Sequence, residues 1–373
     1  GFALGYGPTN RMGSPQTRLP GPSLPQGTNK VRAFIPVARI ADMLLNPGTE
    51  FRYNGGVHTY PDIKLIYWAG GNPFHHHQDL ARLARAWQKP ETIIVNEPYW
   101  TSSAKFADMV LPVTTTLERN DIGCGTHEGV VVAMRRVVPP AGEARNHYAI
   151  FTALAERMGA REAFTEGRDE MGWVEHLYGV LHKRAEGMDI ALPDFPTFWD
   201  EGLINLEAHA KPIVMLEAYR RDPAANMLNT ESGKIEIFSE RIAGFGLDDC
   251  PGHPTWFEPA EWLGAAGKYP LHLLSDQPAR RLHSQLDASP HSVAAKVAGR
   301  EPIYLNPDDA AARGIADGDV VEVFNARGRC LAGAIVSAAI MPGVARLSTG
   351  AWYDYDWQTG LEKHGNPNAV TRD

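Results

Sequence analysis

Between Lys64 and Asp121, short apolar runs alternate with stretches of helical periodicity, and this alternation restricts the fold more than any other feature. Residues 65–69 are rich in strand formers, and the Gly-Gly-Asn-Pro after them is typical of a tight turn. Apolar residues then recur at positions 80, 83, 84 and 87, one face of a helix, before the next strand-like run at 92–95. With a third strand over 108–112, the pattern predicts an α/β domain built on a parallel sheet.

Beyond Tyr269, the sequence changes to short apolar runs separated by turns that contain Gly and Asp. Strands are predicted at 271–274, 303–305, 320–324, 330–336 and 344–347, a spacing that favours a closed β-barrel. Asn306 and Gly314 are suited to cap the two ends of a short helix between the strands at 303–305 and 320–324. The fold class is therefore α/β, a parallel-sheet domain followed by a C-terminal β-barrel domain.

The remaining segments carry weaker signals. Residues 1–30 are rich in Gly and Pro and predict an irregular covering loop without helix or strand. Helices are expected at 35–45, 148–158 and 172–185, whereas 189–267 shows little periodicity beyond a possible helix or two. We expect four parts: a covering segment with a short helix (1–60), the α/β domain (61–190), a connecting region (191–268) and the barrel (269–373).

Charge and cysteine content exclude several classes of protein. The formal net charge of −8 disfavours nucleic acid as a partner. The three cysteines form no CxxC motif, so neither a disulfide framework nor a cysteine metal site is indicated. The uncharged stretch 330–345 is shorter than the roughly 20 residues of a membrane helix, so no direct membrane insertion is expected.

The first residues, Gly-Phe-Ala-Leu-Gly, contain neither an initiator Met nor a signal sequence. We therefore expect a fragment that lacks an N-terminal part and some final residues. Periplasm and cytoplasm of a bacterium both stay open as its compartment.

Polar side chains follow the predicted strands of the parallel sheet at their carboxyl ends, where open α/β sheets bind ligands. Asn72 follows the first strand, and Asn96 and Glu97 follow the second. Arg119 lies beyond the third and is a plausible partner for an anion. Each motif has an alternative interpretation: an ordinary turn at Asn72, a turn-capping pair at Asn96 and Glu97, and a solvated run of charges around Arg119.

Residues 75–77 are three consecutive histidines at a predicted helix start. Neighbouring helical residues point ~100° apart, so the three rings are poorly placed to ligate one metal ion. Hydrogen bonding to a ligand by one or two of them, and simple surface exposure, both stay open.

The segment 275–285 follows a predicted strand and is dense in hydrogen-bond donors. Ser284 beside His283 resembles a hydrolase pair, but the sequence has no G-x-S-x-G motif. Donors for a large polar ligand are the better interpretation. Amide and aromatic residues at 350–353 and 364–368 belong either to the core or to the same ligand site.

Several blocks together resemble the dimethyl sulfoxide reductase family of molybdopterin oxidoreductases. They are FIPVARIADMLLNPG (34–48), IYWAGGNPFHHHQDLARL (66–83), ADMVLPVTTTLERNDIG (107–123), SDQPARRLHSQLD (275–287), GAWYD (350–354) and HGNPNAVT (364–371). The chain is most similar to the S- and N-oxide reductase branch, which comprises dimethyl sulfoxide, trimethylamine N-oxide and biotin sulfoxide reductases. The resemblance is weak between residues 160 and 265.

The resemblance implies the cofactor bis(molybdopterin guanine dinucleotide) molybdenum and a barrel of the double-psi type. When the family's binding residues are carried over by position, the resemblance implies that one guanine dinucleotide contacts the α/β domain at Asn72, His76, Asn96, Glu97 and Arg119. Loops of the barrel would close over the pterins with Ser275, Asp276, Gln277, Pro278, Arg281, His283, Gln285 and Asn368. Asn146-His147 stands where the family often has an acidic residue, so a guanine contact there is in doubt.

The same resemblance implies oxygen-atom transfer from an S-oxide or N-oxide to molybdenum, with an electron donor protein as partner. The serine that binds molybdenum is expected in the missing N-terminal part, so this chain should hold no catalytic residue or metal ligand and be inactive alone. The formate- or nitrate-linked branch of the family, a non-redox nucleotide-binding module and a histidine-based metal-binding protein are the alternatives.

Overall fold

A computed structural model describes residues 15–17, 19–31, 33–125, 129–212 and 214–372. Its contacts divide the chain into two compact units. Unit 1 combines the described part of residues 1–31 with 112–239, and unit 2 combines 32–111 with 240–373. The four sequence domains proposed above stay predictions.

The parallel sheet in unit 2 follows the sequence pattern closely. Leu65–Ala69 pairs in parallel with Thr92–Glu97, which in turn pairs with Met109–Pro112. The predicted helix between the first two strands is Leu80–Ala86, and the four-residue helix Pro73–His76 precedes it. Ser102–Lys105 forms the predicted short helix before the third strand.

The second part of unit 2 is a seven-stranded mixed sheet that curls into a half-barrel. Its main path runs in the order His272–Leu274, Val344–Leu347, Pro302–Leu305, Arg329–Val336, Leu361–Glu362 and Tyr355–Asp356. Val320–Phe324 pairs with Arg329–Val336 in antiparallel register. The predicted helix is Pro307–Ala311, and the Asn306 side chain caps it by accepting from the Asp308 N–H at 2.9 Å.

One hydrophobic core joins the two sheets of unit 2. Phe74, Leu83 and Trp87 from the first part pack in the same cluster as Ile303 and Leu347 from the half-barrel. The predicted helix at 35–45 also contributes, as a 3₁₀ turn at Val37–Arg39 followed by the α-helix Ile40–Leu45. The shared core fixes the loops of both sheets relative to one another.

Unit 1 is built on a three-stranded antiparallel sheet, Asp121–Cys124, Val130–Met134 and Leu203–Asn205. Its longer helices are His147–Arg157 and Glu170–Glu186, which overlap the two predicted there, together with Arg161–Thr165 and Phe195–Glu201. Shorter elements are Glu207–His209 and Glu217–Arg221. Buried residues of this unit, among them Val131, Leu181 and Phe198, form its own core.

Two sequence expectations differ from the structure. Pro15–Gln16 forms a two-residue strand with Lys211–Pro212, although no strand was expected in 1–30. That pairing joins segments far apart in sequence, so local Gly and Pro content could not reveal it. Residues 1–14 and 18 lie outside the described residues. A hairpin, Glu50–Tyr53 with Gly56–Thr59, stands where no strand was expected.

Of the described helices, none is long and apolar enough to cross a bilayer.

Candidate ligand-binding site

A cavity of about 1120 Å³ opens in unit 2 where strand-end loops of the parallel sheet meet loops of the half-barrel. Eight of the predicted site residues line it: Asn72, His76, Glu97, Ser275, Gln277, His283, Gln285 and Asn368. The other described lining residues are Gly71, His75, Gln78, Pro98, Tyr99, Thr101, Ser284, Leu286, Thr349, Gly350, Trp352 and Thr371. The structure thus brings together residues from the loops of both sheets of unit 2.

The strand-end asparagines carry unused hydrogen-bond donors. The Asn72 Oδ1 accepts from the Ser103 hydroxyl at 2.6 Å, and the Asn96 Oδ1 accepts from the Tyr67 hydroxyl at 3.1 Å. Both Nδ2 groups are buried and have no acceptor among the described residues. A buried amide donor without an acceptor costs about 1–3 kcal/mol. The Asn72 donor, on the cavity wall, therefore indicates a ligand with acceptor atoms. Asn96 does not line the cavity.

Glu97 is the acidic group of the cavity wall. Its carboxylate accepts from the Thr101 hydroxyl at 3.0 Å and from the Tyr99 N–H at 3.4 Å. Burial raises the pKa of Glu97, and these hydrogen bonds oppose the rise. Among the described lining residues there is no lysine or arginine. The cavity can therefore recognise a polar ligand through neutral donors rather than through positive side chains.

The three consecutive histidines occupy different environments. His75 and His76 line the cavity, whereas His77 is buried outside it. Burial lowers the pKa of His75 to about 3 and that of His77 to about 4. Burial also lowers the pKa of His76, and the nearby His283 adds to this effect. In the described part of the chain, no three His, Cys, Asp or Glu side chains gather as a metal site.

Ser102 fixes the tautomer of His75. The Ser102 hydroxyl donates to the Tyr353 carbonyl at 2.7 Å and lies 3.1 Å from the His75 Nε2. Because the single hydroxyl proton is committed to that carbonyl, the His75 Nε2 must be the donor in this pair. His75 also stacks on Trp352, with 5.5 Å between ring centroids. The ring is neutral and held on both sides.

We expect Ser102→Ala to lower the free energy of unfolding by about 2 kcal/mol, because it leaves a buried Tyr353 carbonyl and the His75 Nε2–H without partners. Chemical denaturation followed by fluorescence measures the change. A loss below about 0.5 kcal/mol would show that the pair contributes little.

Three predicted residues from the half-barrel, Asp276, Pro278 and Arg281, do not line the cavity. Asp276 forms an ion pair with Arg346 at 2.8 Å and accepts from the Ser348 hydroxyl at 2.7 Å. Pro278 is buried. Arg281 is buried too, and its Nη2 donates to the Thr349 carbonyl at 2.9 Å.

Arg281 belongs to a buried ionic cluster. Its guanidinium lies 3.1 Å from the Glu301 carboxylate and 3.4 Å from that of Asp287. Arg280 pairs with Glu301 at 2.8 Å, and Lys296 pairs with Asp287 at 2.9 Å. Burial raises the pKa of Glu301, and the two arginines oppose it. The cluster anchors the loop 281–287, two of whose backbone conformations are left-handed, at His283 (φ 50°) and Leu286 (φ 58°).

Arg119 lies in unit 1. Its Nη1 donates to the Thr114 carbonyl at 3.2 Å, and its Nε lies 3.4 Å from the Asp121 carboxylate. Asn146, whose guanine contact was in doubt, caps the helix His147–Arg157 by accepting from the Ala149 N–H at 2.7 Å. The ligand roles of both segments stay predictions.

Sequence reasoning missed part of the cavity wall. Tyr99 and Thr101 adjoin Glu97 and hydrogen-bond its carboxylate, so their position after the strand end was the available signal. Thr349 and Thr371 offer no such local signal, because tertiary packing alone brings their loops to the wall. Gly350 and Trp352 belong to the segment 350–353, for which the sequence left two interpretations, core packing or ligand binding.

Two family descriptions match this chain. Residues 5–157 match "Molybdopterin oxidoreductase", and residues 271–373 match "Molydopterin dinucleotide binding domain". Among solved structures, acetylene hydratase from Pelobacter acetylenicus has a TM-score of 0.66 at 20% identity, covering 90% of this chain and 43% of that one. At that identity the likeness supports the fold alone.

Curated relatives share far more sequence. Biotin sulfoxide reductase of Cereibacter sphaeroides is 49% identical over 374 residues, covering 100% of this chain and 50% of the relative. Dimethyl sulfoxide/trimethylamine N-oxide reductase of the same organism is 52% identical, covering 91% and 42%. Trimethylamine-N-oxide reductase 1 of Escherichia coli K12 is 47% identical, covering 91% and 41%. The chain spans half or less of the length of these relatives, and it belongs to the dimethyl sulfoxide reductase family of molybdopterin oxidoreductases.

Proposed function

We propose that the whole protein is a molybdenum-dependent oxidoreductase that reduces S-oxides or N-oxides, such as dimethyl sulfoxide, trimethylamine N-oxide or biotin sulfoxide. The observation that carries the proposal is the shared cavity of unit 2, in which eight side chains carried over from the family stand together. The relatives named for these three substrates support the same reaction. An electron donor protein is the second partner that such a reaction requires.

The family implies bis(molybdopterin guanine dinucleotide) molybdenum, and the cavity residues fit a large polar group of this kind. The unpaired Asn72 Nδ2 supplies a donor, and at Gly71 (φ 73°), which lines the cavity, a placed Cβ would meet no atom nearer than the Trp68 Nε1 at 4.0 Å. Ser275, Gln277 and Asn368 add neutral hydrogen-bonding groups on the half-barrel side. When bound, the cofactor supplies the two-electron redox chemistry of oxygen-atom transfer.

The chain's own residues would hold and orient that cofactor. Asn72, His76, Asn96, Glu97 and Arg119 are proposed for one guanine dinucleotide, and the half-barrel residues Ser275 to Pro278, Arg281, His283, Gln285 and Asn368 for the pterins. Arg281 would act by holding the loop 281–287 and not by direct contact with the cofactor, because its guanidinium is engaged with Glu301 and Asp287. No residue of this chain is proposed as a metal ligand.

We also propose that the half-barrel sheet is part of a closed barrel of the double-psi type. Two parallel pairings in the sheet support this proposal: Pro302–Leu305 runs parallel to Arg329–Val336, and His272–Leu274 runs parallel to Val344–Leu347. The other pairings in the sheet are mostly antiparallel.

The full-length protein should purify with about one molybdenum and about two guanine nucleotides per chain, because the pterin nucleotides are the resident cofactor of the proposed enzyme. Metal analysis by mass spectrometry and chromatography of released nucleotides measure both ratios. Guanine nucleotide without molybdenum would instead support a non-redox nucleotide-binding module. Reduction of nitrate or oxidation of formate, but no oxide reduction, would move the protein to another branch.

Arg119→Ala should lower the nucleotide content of the purified full-length protein, because a guanidinium is a strong partner for phosphate. Arg161→Ala is the control, since Arg161 is an exposed arginine of the same unit, paired with Glu156 at 3.6 Å. Full occupancy in Arg119→Ala would remove Arg119 from the proposed site.

A further inference from the structure

We infer that Gln277 is a positioning residue that fixes the tautomer of the neutral His283 ring, with the proton on Nε2, so that His283 offers a donor to the cavity. Both residues line the cavity wall. The inference rests on the proposed function only for the identity of the ligand.

Two hydrogen bonds join Gln277 to His283. The backbone N–H of His283 lies 3.1 Å from the Gln277 Oε1, and the Gln277 Nε2 lies 2.8 Å from the His283 Nδ1. A backbone N–H can only donate, so the amide atom facing it must be the oxygen. The Gln277 NH₂ group therefore faces the imidazole, and because it can only donate, the His283 Nδ1 must accept.

An accepting Nδ1 carries no proton, so the neutral ring holds its proton on Nε2. The two bonds thus select one tautomer of the neutral ring.

The backbone around His283 holds this geometry in place. His283 has a left-handed conformation (φ 50°), and its carbonyl accepts from the buried Arg281 Nε at 3.2 Å. The next carbonyl, that of Ser284, accepts from the Trp352 Nε1 at 2.7 Å. The ring is therefore presented by a fixed loop, and its donor complements an acceptor atom of the ligand.

His75 presents the opposite arrangement on the same cavity. Ser102 makes the His75 Nε2 a donor toward the protein, which leaves Nδ1 as the acceptor of that ring. Both rings are thus Nε2–H tautomers that turn different nitrogens to the protein, so His283 offers a donor and His75 offers an acceptor. A ligand that carries both kinds of group, as fused nitrogen heterocycles do, matches this pair.

Gln277→Glu tests the inference with little change of shape. A carboxylate has only acceptors, so it would keep the bond to the His283 backbone and draw the ring proton onto Nδ1. Full-length protein with ¹³C- and ¹⁵N-labelled histidine rings, with the His283 signals assigned by comparison with His283→Asn, reports the tautomer directly. We expect Nε2–H in the wild type and Nδ1–H in Gln277→Glu.

Guanine nucleotide retained after dialysis is the second measurement. Loss of one ligand hydrogen bond should weaken retention about tenfold in Gln277→Glu. Gln285→Glu, the same change at another glutamine of the wall, should leave the His283 tautomer unchanged. Nδ1–H in the wild type, or an unchanged tautomer in Gln277→Glu, would overturn the inference. A switched tautomer with undiminished retention would overturn the ligand role of His283. A wild type without nucleotide would count against the proposed function alone.

Discussion

Replacing Glu362 with glutamine is expected to lower the free energy of unfolding of unit 2 by about 4 kcal/mol. The Glu362 side chain is fully buried and accepts four backbone N–H groups. Oε1 accepts from Asp354 (3.1 Å) and His364 (2.8 Å), and Oε2 accepts from Gly365 (2.7 Å) and Asn366 (2.8 Å). At pH 8, where Glu362 is ionised and both oxygens accept, glutamine replaces one acceptor oxygen with an NH₂ group, so two buried N–H groups lose their acceptor and face another donor.

The loss should reach the cavity, because Glu362 organises the loop that carries Asn366 and Asn368. The Asn366 Nδ2 donates to the Ala351 carbonyl at 2.9 Å, and Asn368 lines the cavity. Chemical denaturation of the full-length protein measures the stability. Glu322→Gln is the control on the same sheet, where a half-exposed pair with Arg329 should contribute less than about 1 kcal/mol. Equal losses in the two variants would contradict the role given to Glu362.

The same substitution should change how stability depends on pH. Burial raises the pKa of Glu362 from 4.5 to about 7, although the backbone N–H groups oppose the rise. Between these values the folded protein binds a proton that the unfolded chain has released, so stability falls as pH rises through this range. The glutamine variant lacks this dependence. The melting-temperature gap between wild type and Glu362→Gln should therefore narrow from pH 5 to pH 8, and a constant gap would contradict the shift.

Local sequence signals predicted the elements that local chemistry decides. The strand Leu65–Ala69 has the predicted bounds, and the helix Leu80–Ala86 has the predicted apolar face. Asn306 caps its helix as its side chain suggested. The hairpin at 50–59 was also within reach, because its turn residues Asn54 (φ 47°) and Gly55 (φ 78°) form an Asn-Gly pair, a strong hairpin signal.

The arrangement of the site could be predicted only in part. Strand-end position indicated Asn72 and Glu97, since parallel strands deliver their loops to one edge. Which half-barrel loops meet that edge depends on the shared core, and no local pattern encodes it. The burial of Arg281 and Glu362 was hidden for the same reason, because charged side chains are usually exposed unless distant partners satisfy them.

Replacing Gly350 with alanine is the second change expected to have a large effect. Gly350 has a φ of 92°, which L side chains rarely adopt, and an added Cβ would lie 2.0 Å from the His283 carbonyl oxygen. That oxygen belongs to a backbone held by Arg281, so the loop 283–284 must move. Strain and overpacking together should cost about 4 kcal/mol. Because His283 and Ser284 line the cavity, nucleotide retention by the full-length protein should fall more than about tenfold as well.

Gly299→Ala separates the two causes. Gly299 also has a positive φ (75°), but no atom lies within 4 Å of a Cβ placed there. Its substitution should therefore cost only the backbone strain, about 1–2 kcal/mol, and leave nucleotide retention unchanged. Melting temperature and retained nucleotide, measured on both variants, test the difference. If Gly350→Ala is no less stable than Gly299→Ala and keeps its nucleotide, then the contact between Gly350 and the His283 carbonyl does not shape the cavity.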